Sequence, residues 1–148
     1  MLFLPQGMPA INILRKEGAD IATFDKNNIS EFPQETLRIL FLNLMPQKAV
    51  TELDIARVIC RHHRPVALLP MKIANQTYKT TPPEHMERFY TDFEYFENAP
   101  NPHFDGMIVT GAPVEHLPFE NVRYWTQLCH IMNWAETHVR STLYICWG

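Results

Sequence analysis

From Leu37 onward the chain alternates between short, almost wholly apolar runs and longer stretches whose apolar residues recur every three or four positions. Leu37-Arg38-Ile39-Leu40-Phe41-Leu42-Asn43-Leu44 is rich in strand formers and closed by Pro46, the pattern of a central parallel strand covered on both faces. Residues 50–61 then place Leu53, Ala56, Ile59 and Cys60 on one helical face, with Glu52, Asp54 and Arg57 among the polar positions. Pro65-Val66-Ala67-Leu68-Leu69-Pro70 reads as a second short strand. After an irregular stretch, Thr81 before Pro82-Pro83-Glu84 predicts an N-cap with a first-turn proline, opening a helix through His85, Met86, Phe89 and Tyr90. Asp105-Gly106-Met107-Ile108-Val109-Thr110-Gly111 is a third strand, and residues 121–138 carry Val122, Trp125, Cys129 and Met132 at helical spacing. Ser141 to Ile145 is a fourth strand, expected to be buried.

Residues 1–36 are less regular. Ile11, Ile13 and Leu14 can form one short apolar element before Gly18, and Ile21-Ala22-Thr23-Phe24 another, so this segment reads as an N-terminal arm packed on the domain. The order from Leu37 is strand, helix, strand, helix, strand, helix, strand. It predicts an α/β fold, an open parallel sheet with helices on both faces and right-handed crossovers. Ligand chemistry in such sheets gathers at the carboxyl ends of the strands. Three loops should meet there: Leu44 to Lys48, Gly111 to Glu115, and Cys146-Trp147-Gly148. They bring an ammonium, a turn with free backbone N–H groups, and a thiol.

Composition narrows the function classes. With 13 basic against 16 acidic residues the net charge is −3, which argues against nucleic-acid and acidic-membrane partners. No apolar run is long enough to span a bilayer, and Met1-Leu2-Phe3-Leu4-Pro5 lacks the charged and apolar regions of a signal peptide, so a cytoplasmic location is expected. The 3 cysteines do not make a disulfide framework, and no histidine, the adjacent His62-His63 included, falls in a metal-ligand spacing; no metal is expected.

Each candidate has a bland reading beside the chemical one. Cys60 and Cys129 fall on apolar helical faces and read as inert core thiols. Cys146, where a strand meets a turn, is either a small buried hydrophobe or a nucleophile. Lys48 is either a solvated lysine or the cation of the crevice. Glu115 is a loop carboxylate or a ligand contact, and His116 a surface histidine or a base. Tyr78, Phe89, Tyr90, Phe93, Tyr95 and Phe96 read as packing rather than as a ligand stack.

Phe41-Leu42-Asn43-Leu44-Met45-Pro46-Gln47-Lys48, Thr81 to Tyr90, Phe104 to Pro113 and Ser141 to Trp147, in this order and at this spacing, resemble the homoserine O-acyltransferase family of the MetA type. The resemblance runs from about Ile11 to Gly148. It implies a class I glutamine-amidotransferase-like (flavodoxin-like) fold, of which residues 37–148 would be the N-terminal half. It also implies a two-step acyl transfer from acyl-CoA through a cysteine thioester to the hydroxyl of L-homoserine, in methionine biosynthesis, with no cofactor beyond the co-substrate and with a dimer as the assembly. Cys146 matches the family nucleophile, Lys48 an active-site lysine, and the backbone N–H groups near Val114 and Trp147 an oxyanion site. Glu115 falls where the family distinguishes donors: glutamate goes with acetyl-CoA and glycine with succinyl-CoA, because a carboxylate fills the space and repels the donor's own terminal carboxylate.

The family's chain is about twice as long, and its second half supplies the histidine base, the glutamate that orients it and the residues that grip homoserine. The 148 residues therefore read as a half with a nucleophile and without a base, expected to be inactive alone. Serine O-acetyltransferase and homoserine O-succinyltransferase activity remain open within the family, as does a non-catalytic fragment. Glutaminase chemistry fits the Cys146 turn and the Glu84-His85 segment poorly.

Overall fold

The computed structural model describes residues 1–29 and 31–147. Among these, one all-parallel sheet holds 7 strands, with six in the order β2-β1-β4-β3-β6-β7 and β5 added beside β4. The elements in chain order are β1 (Leu2–Pro5), α1 (Ala10–Lys16), β2 (Ile21–Phe24), β3 (Leu37–Leu42), α2 (Lys48–Ile59), β4 (Val66–Lys72), α3 (Pro83–Phe89), β5 (Thr91–Asp92), α4 (Phe93–Glu97), β6 (Gly106–Val109), α5 (Trp125–His138) and β7 (Thr142–Tyr144). A single 3₁₀ turn, Phe119–Asn121, precedes α5.

The continuous apolar runs form central strands because both sheet faces are covered. Along β3, Leu40 and Leu42 enter one core while Phe41 enters the other, the period-two alternation of a strand. Leu40 and Leu42 pack with Leu128, Ile131 and Trp134 of α5 and with Phe93 and Phe96 of α4. Phe41 shares the opposite core with Ile11 and Leu14 of α1, Ala56 of α2, and Met86 and Phe89 of α3. Leu40 and Phe41 are completely excluded from water. Each such side chain contributes roughly 1.5–3 kcal/mol by burial.

The structure departs from the sequence reading at several points. Residues 2–5, passed over for want of a clear pattern, form β1 between β2 and β4, and with α1 and β2 they make a parallel unit of the sheet. The second strand does not end at Pro70 but runs to Lys72. Pro70 is accommodated because β4 pairs there with β3 alone: its register with β1 covers Val66 and Ala67, and that with β5 covers Met71 and Lys72. Thr81 does not cap α3. The capping position is Pro82, without a side-chain cap, and the Thr81 hydroxyl donates instead to the Pro46 carbonyl at 2.9 Å. The buried face of α5 is Leu128, Ile131, Trp134 and Ala135, while Trp125, Cys129 and Met132 are half-buried.

Two further corrections concern the functional region. Glu52, read as a polar surface position, is 1% exposed. And β7, expected to be a buried strand, pairs only with β6 and lies at the sheet edge, with Leu143 56% and Tyr144 41% exposed.

Candidate active site

In a parallel sheet every strand ends at the same edge, and three of the resulting loops meet here. The loops expected at Leu44 to Lys48 after β3 and Gly111 to Glu115 after β6 are two of them; the long loop 73–82 after β4 was not expected. Together with the start of α2 they enclose a cavity of about 420 Å³, with Lys48, Tyr78, Val114 and Tyr124 among its walls. The loops are tied to one another at their roots. The Leu44 N–H donates to the Thr110 hydroxyl at 2.7 Å, the Thr110 N–H to the Leu42 carbonyl at 3.1 Å, and both Thr80 and Thr81 hydroxyls to the Pro46 carbonyl.

Lys48 opens α2 and is 3% exposed. Its ammonium donates to the Met45 carbonyl at 2.6 Å and lies 4.9 Å from the centre of the Tyr78 ring, a cation–π approach. Burial pushes its pKa down to about 8, against the opposing pull of the Glu52 charge. Tyr78, read as packing, is a wall of the cavity, and its own burial pushes its phenol up to about 12.

Cys146 follows β7 in a left-handed backbone conformation, φ +56°, which a residue bearing a Cβ rarely adopts. The strained turn leaves its thiol exposed, whereas Cys60 and Cys129 are half-buried. Strand-to-turn strain that lifts a nucleophile clear of a sheet is a recurring device of α/β enzymes. The turn is fixed from two sides. The Ile145 N–H donates to the Val109 carbonyl at 2.9 Å, and the Trp147 indole lies 6.0–6.5 Å from the rings of Phe119, Tyr124 and Trp125. Gly111 explains itself against this turn: a Cβ there would stand 3.1 Å from that of Cys146. Gly148, the third residue expected in this turn, lies outside the described residues.

The remaining predicted residues are placed as follows. Val114 lines the cavity, and its N–H donates to the Ala112 carbonyl at 2.9 Å. Glu115 and His116 are exposed on the loop that leads away from Gly111. Among the described residues, Lys48 and Val114 share the cavity wall, while Glu115, Cys146 and Trp147 stand outside its lining.

Sequence reasoning missed a polar cluster beneath the 43–48 loop. His85 Nε2 lies 2.5 Å from one Glu52 oxygen and 3.0 Å from the other, and the Tyr90 hydroxyl donates to Glu52 at 3.2 Å. Asn43 Nδ2 donates to the Tyr90 oxygen at 3.0 Å and to the Lys48 carbonyl at 3.3 Å. The available signal was the spacing of Lys48 and Glu52, which puts both on one face of α2.

The family model for homoserine O-succinyltransferase matches residues 1–148. A homoserine O-acetyltransferase of Bacteroides thetaiotaomicron is 47% identical over 147 residues, 99% of this chain and 47% of that protein. One of Parabacteroides distasonis is 48% identical over 147 residues, 99% of this chain and 46% of that protein. One of Streptococcus pneumoniae is 44% identical over 141 residues, 95% of this chain and 43% of that protein. The chain thus spans about half the length of the curated relatives it matches. On the match along its whole length, this chain belongs to the homoserine O-succinyltransferase family.

Proposed function

We propose that this fold carries the acyl-accepting half of a homoserine O-acetyltransferase: a cytoplasmic enzyme of methionine biosynthesis that moves acetyl from acetyl-CoA to L-homoserine. The observation that carries the reading is the exposed Cys146 thiol, held in a left-handed turn at the carboxyl edge of the sheet. In the first step the Cys146 thiolate attacks the acetyl carbonyl, the tetrahedral adduct collapses, and the CoA thiolate leaves as the Cys146 thioester forms. In the second, the homoserine hydroxyl attacks that thioester, its proton passes to a base, and the carbon–sulfur bond breaks to restore the thiolate. The family resemblance puts that base in the part of the family's chain beyond the segment matched here.

Lys48 supplies a cation in the wall of the neighbouring cavity, suited to the anionic acyl donor. The Trp147 and Val114 N–H groups are the oxyanion donors of this reading. For Val114 to serve, its bond to the Ala112 carbonyl must open when the donor binds. Acetyl rather than succinyl follows from Glu115, whose carboxylate repels a donor ending in a second carboxylate, and agrees with the names of the relatives.

Incubating the purified protein with acetyl-labelled acetyl-CoA and mapping its peptides tests the first step. The label should appear on the peptide containing Cys146 and vanish in Cys146→Ala; label that persists in Cys146→Ala would overturn the assignment. Glu115→Gly should raise the ratio of succinyl to acetyl transfer, and an unchanged ratio would remove Glu115 from donor selection.

A further inference from the structure

A carboxylate nearly sealed from water is an expensive thing to place in a helix, and apolar side chains fill such space at lower cost. Glu52 is that carboxylate, and its position is specific. It sits one turn after Lys48 on α2, so two buried groups of opposite charge share one helix face. Among the described residues beyond α2, its hydrogen-bond partners are His85 and Tyr90. His85 Nε2 lies within hydrogen-bond reach of both its oxygens, so that nitrogen carries the proton it donates, and the Tyr90 hydroxyl donates to one of them.

Tyr90 extends the connection. Burial first, and the Glu52 charge next, hold its phenol well above the ordinary range, so it keeps its proton and remains a fixed donor. Its oxygen accepts from Asn43 Nδ2, which also donates to the Lys48 carbonyl, and Asn43 Oδ1 accepts from the Met45 N–H at 3.1 Å. Met45 is the residue whose carbonyl receives the Lys48 ammonium. The path from Glu52 through Tyr90 and Asn43 therefore ends on both the backbone and the acceptor that aim Lys48.

We propose that Glu52 is a positioning residue for the active site: its charge keeps Lys48 an ammonium inside a dry wall, and through Tyr90 and Asn43 it fixes the 43–48 loop that aims that ammonium into the cavity. The inference rests on the reading of Lys48 as the cation that meets the acyl donor, and it adds the groups that make a buried lysine serviceable there. Tyr78 from the 73–82 loop faces the Lys48 ammonium, and Glu52 on its own helix is the charge that opposes loss of its proton. Lys72, Lys79 and Arg123 are the other basic residues lining the cavity among the described residues.

The test reads Lys48 itself rather than turnover. Competitive labelling of lysines with acetic anhydride across pH, followed by peptide mapping, gives the pH midpoint at which Lys48 becomes reactive. In the unaltered protein the midpoint should lie near 8, well below the ordinary lysine value of 10.5. Glu52→Gln keeps the shape and removes the charge, so the midpoint should fall and Lys48 should label several-fold faster at pH 7; Glu52→Asp should restore part of the difference. Tyr90→Phe leaves the charge in place, so the midpoint should hold while amide exchange across residues 44–48 accelerates about tenfold. A Lys48 midpoint matching exposed lysines in the unaltered protein would overturn the proposal, whether or not Glu52→Gln folds. So would an unshifted midpoint in folded Glu52→Gln, or unchanged exchange in Tyr90→Phe. Absence of a thioester on Cys146 would instead sink the catalytic reading and leave these midpoints untouched.

Discussion

The left-handed turn at Cys146 makes a prediction that separates backbone strain from loss of the thiol. An L-residue in this region carries about 1–2 kcal/mol of steric cost that glycine avoids. Cys146, at φ +56°, is such a residue, and its exposure means little apolar burial is lost on truncation. Glycine also loosens the unfolded chain, which removes about 0.5–1 kcal/mol of the gain. Cys146→Gly should therefore stabilise the fold by a net ~0.5–1 kcal/mol, while Cys146→Ala, which keeps the Cβ, should be near neutral. Gly111 supplies an internal control. Its missing Cβ would stand 3.1 Å from the Cys146 Cβ and 3.7 Å from the sulfur, so Gly111→Ala presses on this turn. The crowding should cost about 1 kcal/mol beside Cys146 and largely disappear beside Gly at that position.

Urea unfolding of the four proteins in that cycle together with Cys146→Ala, followed by far-ultraviolet circular dichroism, reads both quantities. At this chain length each kcal/mol moves the melting temperature by about 3 °C. Cys146→Gly no more stable than Cys146→Ala would refute the strain argument. An equal cost for Gly111→Ala in both backgrounds would refute the contact. A confirmed cycle would mean that the fold gives up stability at the residue proposed here as the nucleophile.

Lys48 predicts a second, pH-dependent effect. With its folded pKa near 8 and its ordinary value at 10.5, the unfolded chain binds the extra proton between those limits, so stability should rise with pH across that window. The gap corresponds to roughly 3 kcal/mol at most. Lys26, lowered chiefly by burial, acts in the same direction, and Tyr78, raised to about 12, opposes it above pH 10. The difference between wild type and Lys48→Met, measured by urea unfolding at pH 8 and pH 10, isolates Lys48; an identical slope in both would show that the lysine is solvated in solution. A third prediction concerns the exposed apolar residues of β7 and α2. Val58, 73% exposed, and Leu143, 56% exposed, border the same uncovered stretch of sheet, so Val58→Lys with Leu143→Thr should lower binding of a hydrophobic dye and raise solubility without changing the unfolding free energy by more than ~0.5 kcal/mol.

The parts of the fold legible in the sequence are those where burial on both faces leaves a continuous apolar run. The strands at Leu37–Leu42 and Gly106–Val109 are recovered on that basis, while the helix read over residues 121–138 rests on three-and-four spacing, starts at Trp125 and buries a different face. The strand at residues 2–5 is four residues long and interrupted at once by Pro5, so no periodicity accumulates over it. Pro70 hid the last two residues of β4, because a proline is tolerated in a central strand only where one neighbour is missing, and that gap belongs to the topology. In the site, Lys48 and Cys146 are candidates by residue type and position, and the structure shows that Lys48 is buried in the cavity wall and Cys146 exposed beyond it. Glu52 did not, because a glutamate on an amphipathic helix is almost always solvated. Only the arrival of His85 from α3 and of Tyr90 just after it, more than thirty residues further on, shows that it is inside.

The strand order also dictates a sequence of assembly. The unit of β1, α1 and β2 can close by itself, but its place in the sheet lies against β4, so it must wait for β2, the linker, β3 and α2 to be synthesised before Leu2 can meet Val66. Such distant parallel pairings are slow to form and leave unpaired strand edges exposed in the meantime. Among the described residues β7 pairs with β6 alone, and β6 in turn rests on β3. The thiol therefore acquires its raised, strained presentation only after the strands inside it have joined. A chain whose folding stalls before that point leaves Cys146 an ordinary cysteine on an unpaired segment. In this architecture the left-handed turn is itself a report that β6 has joined β3.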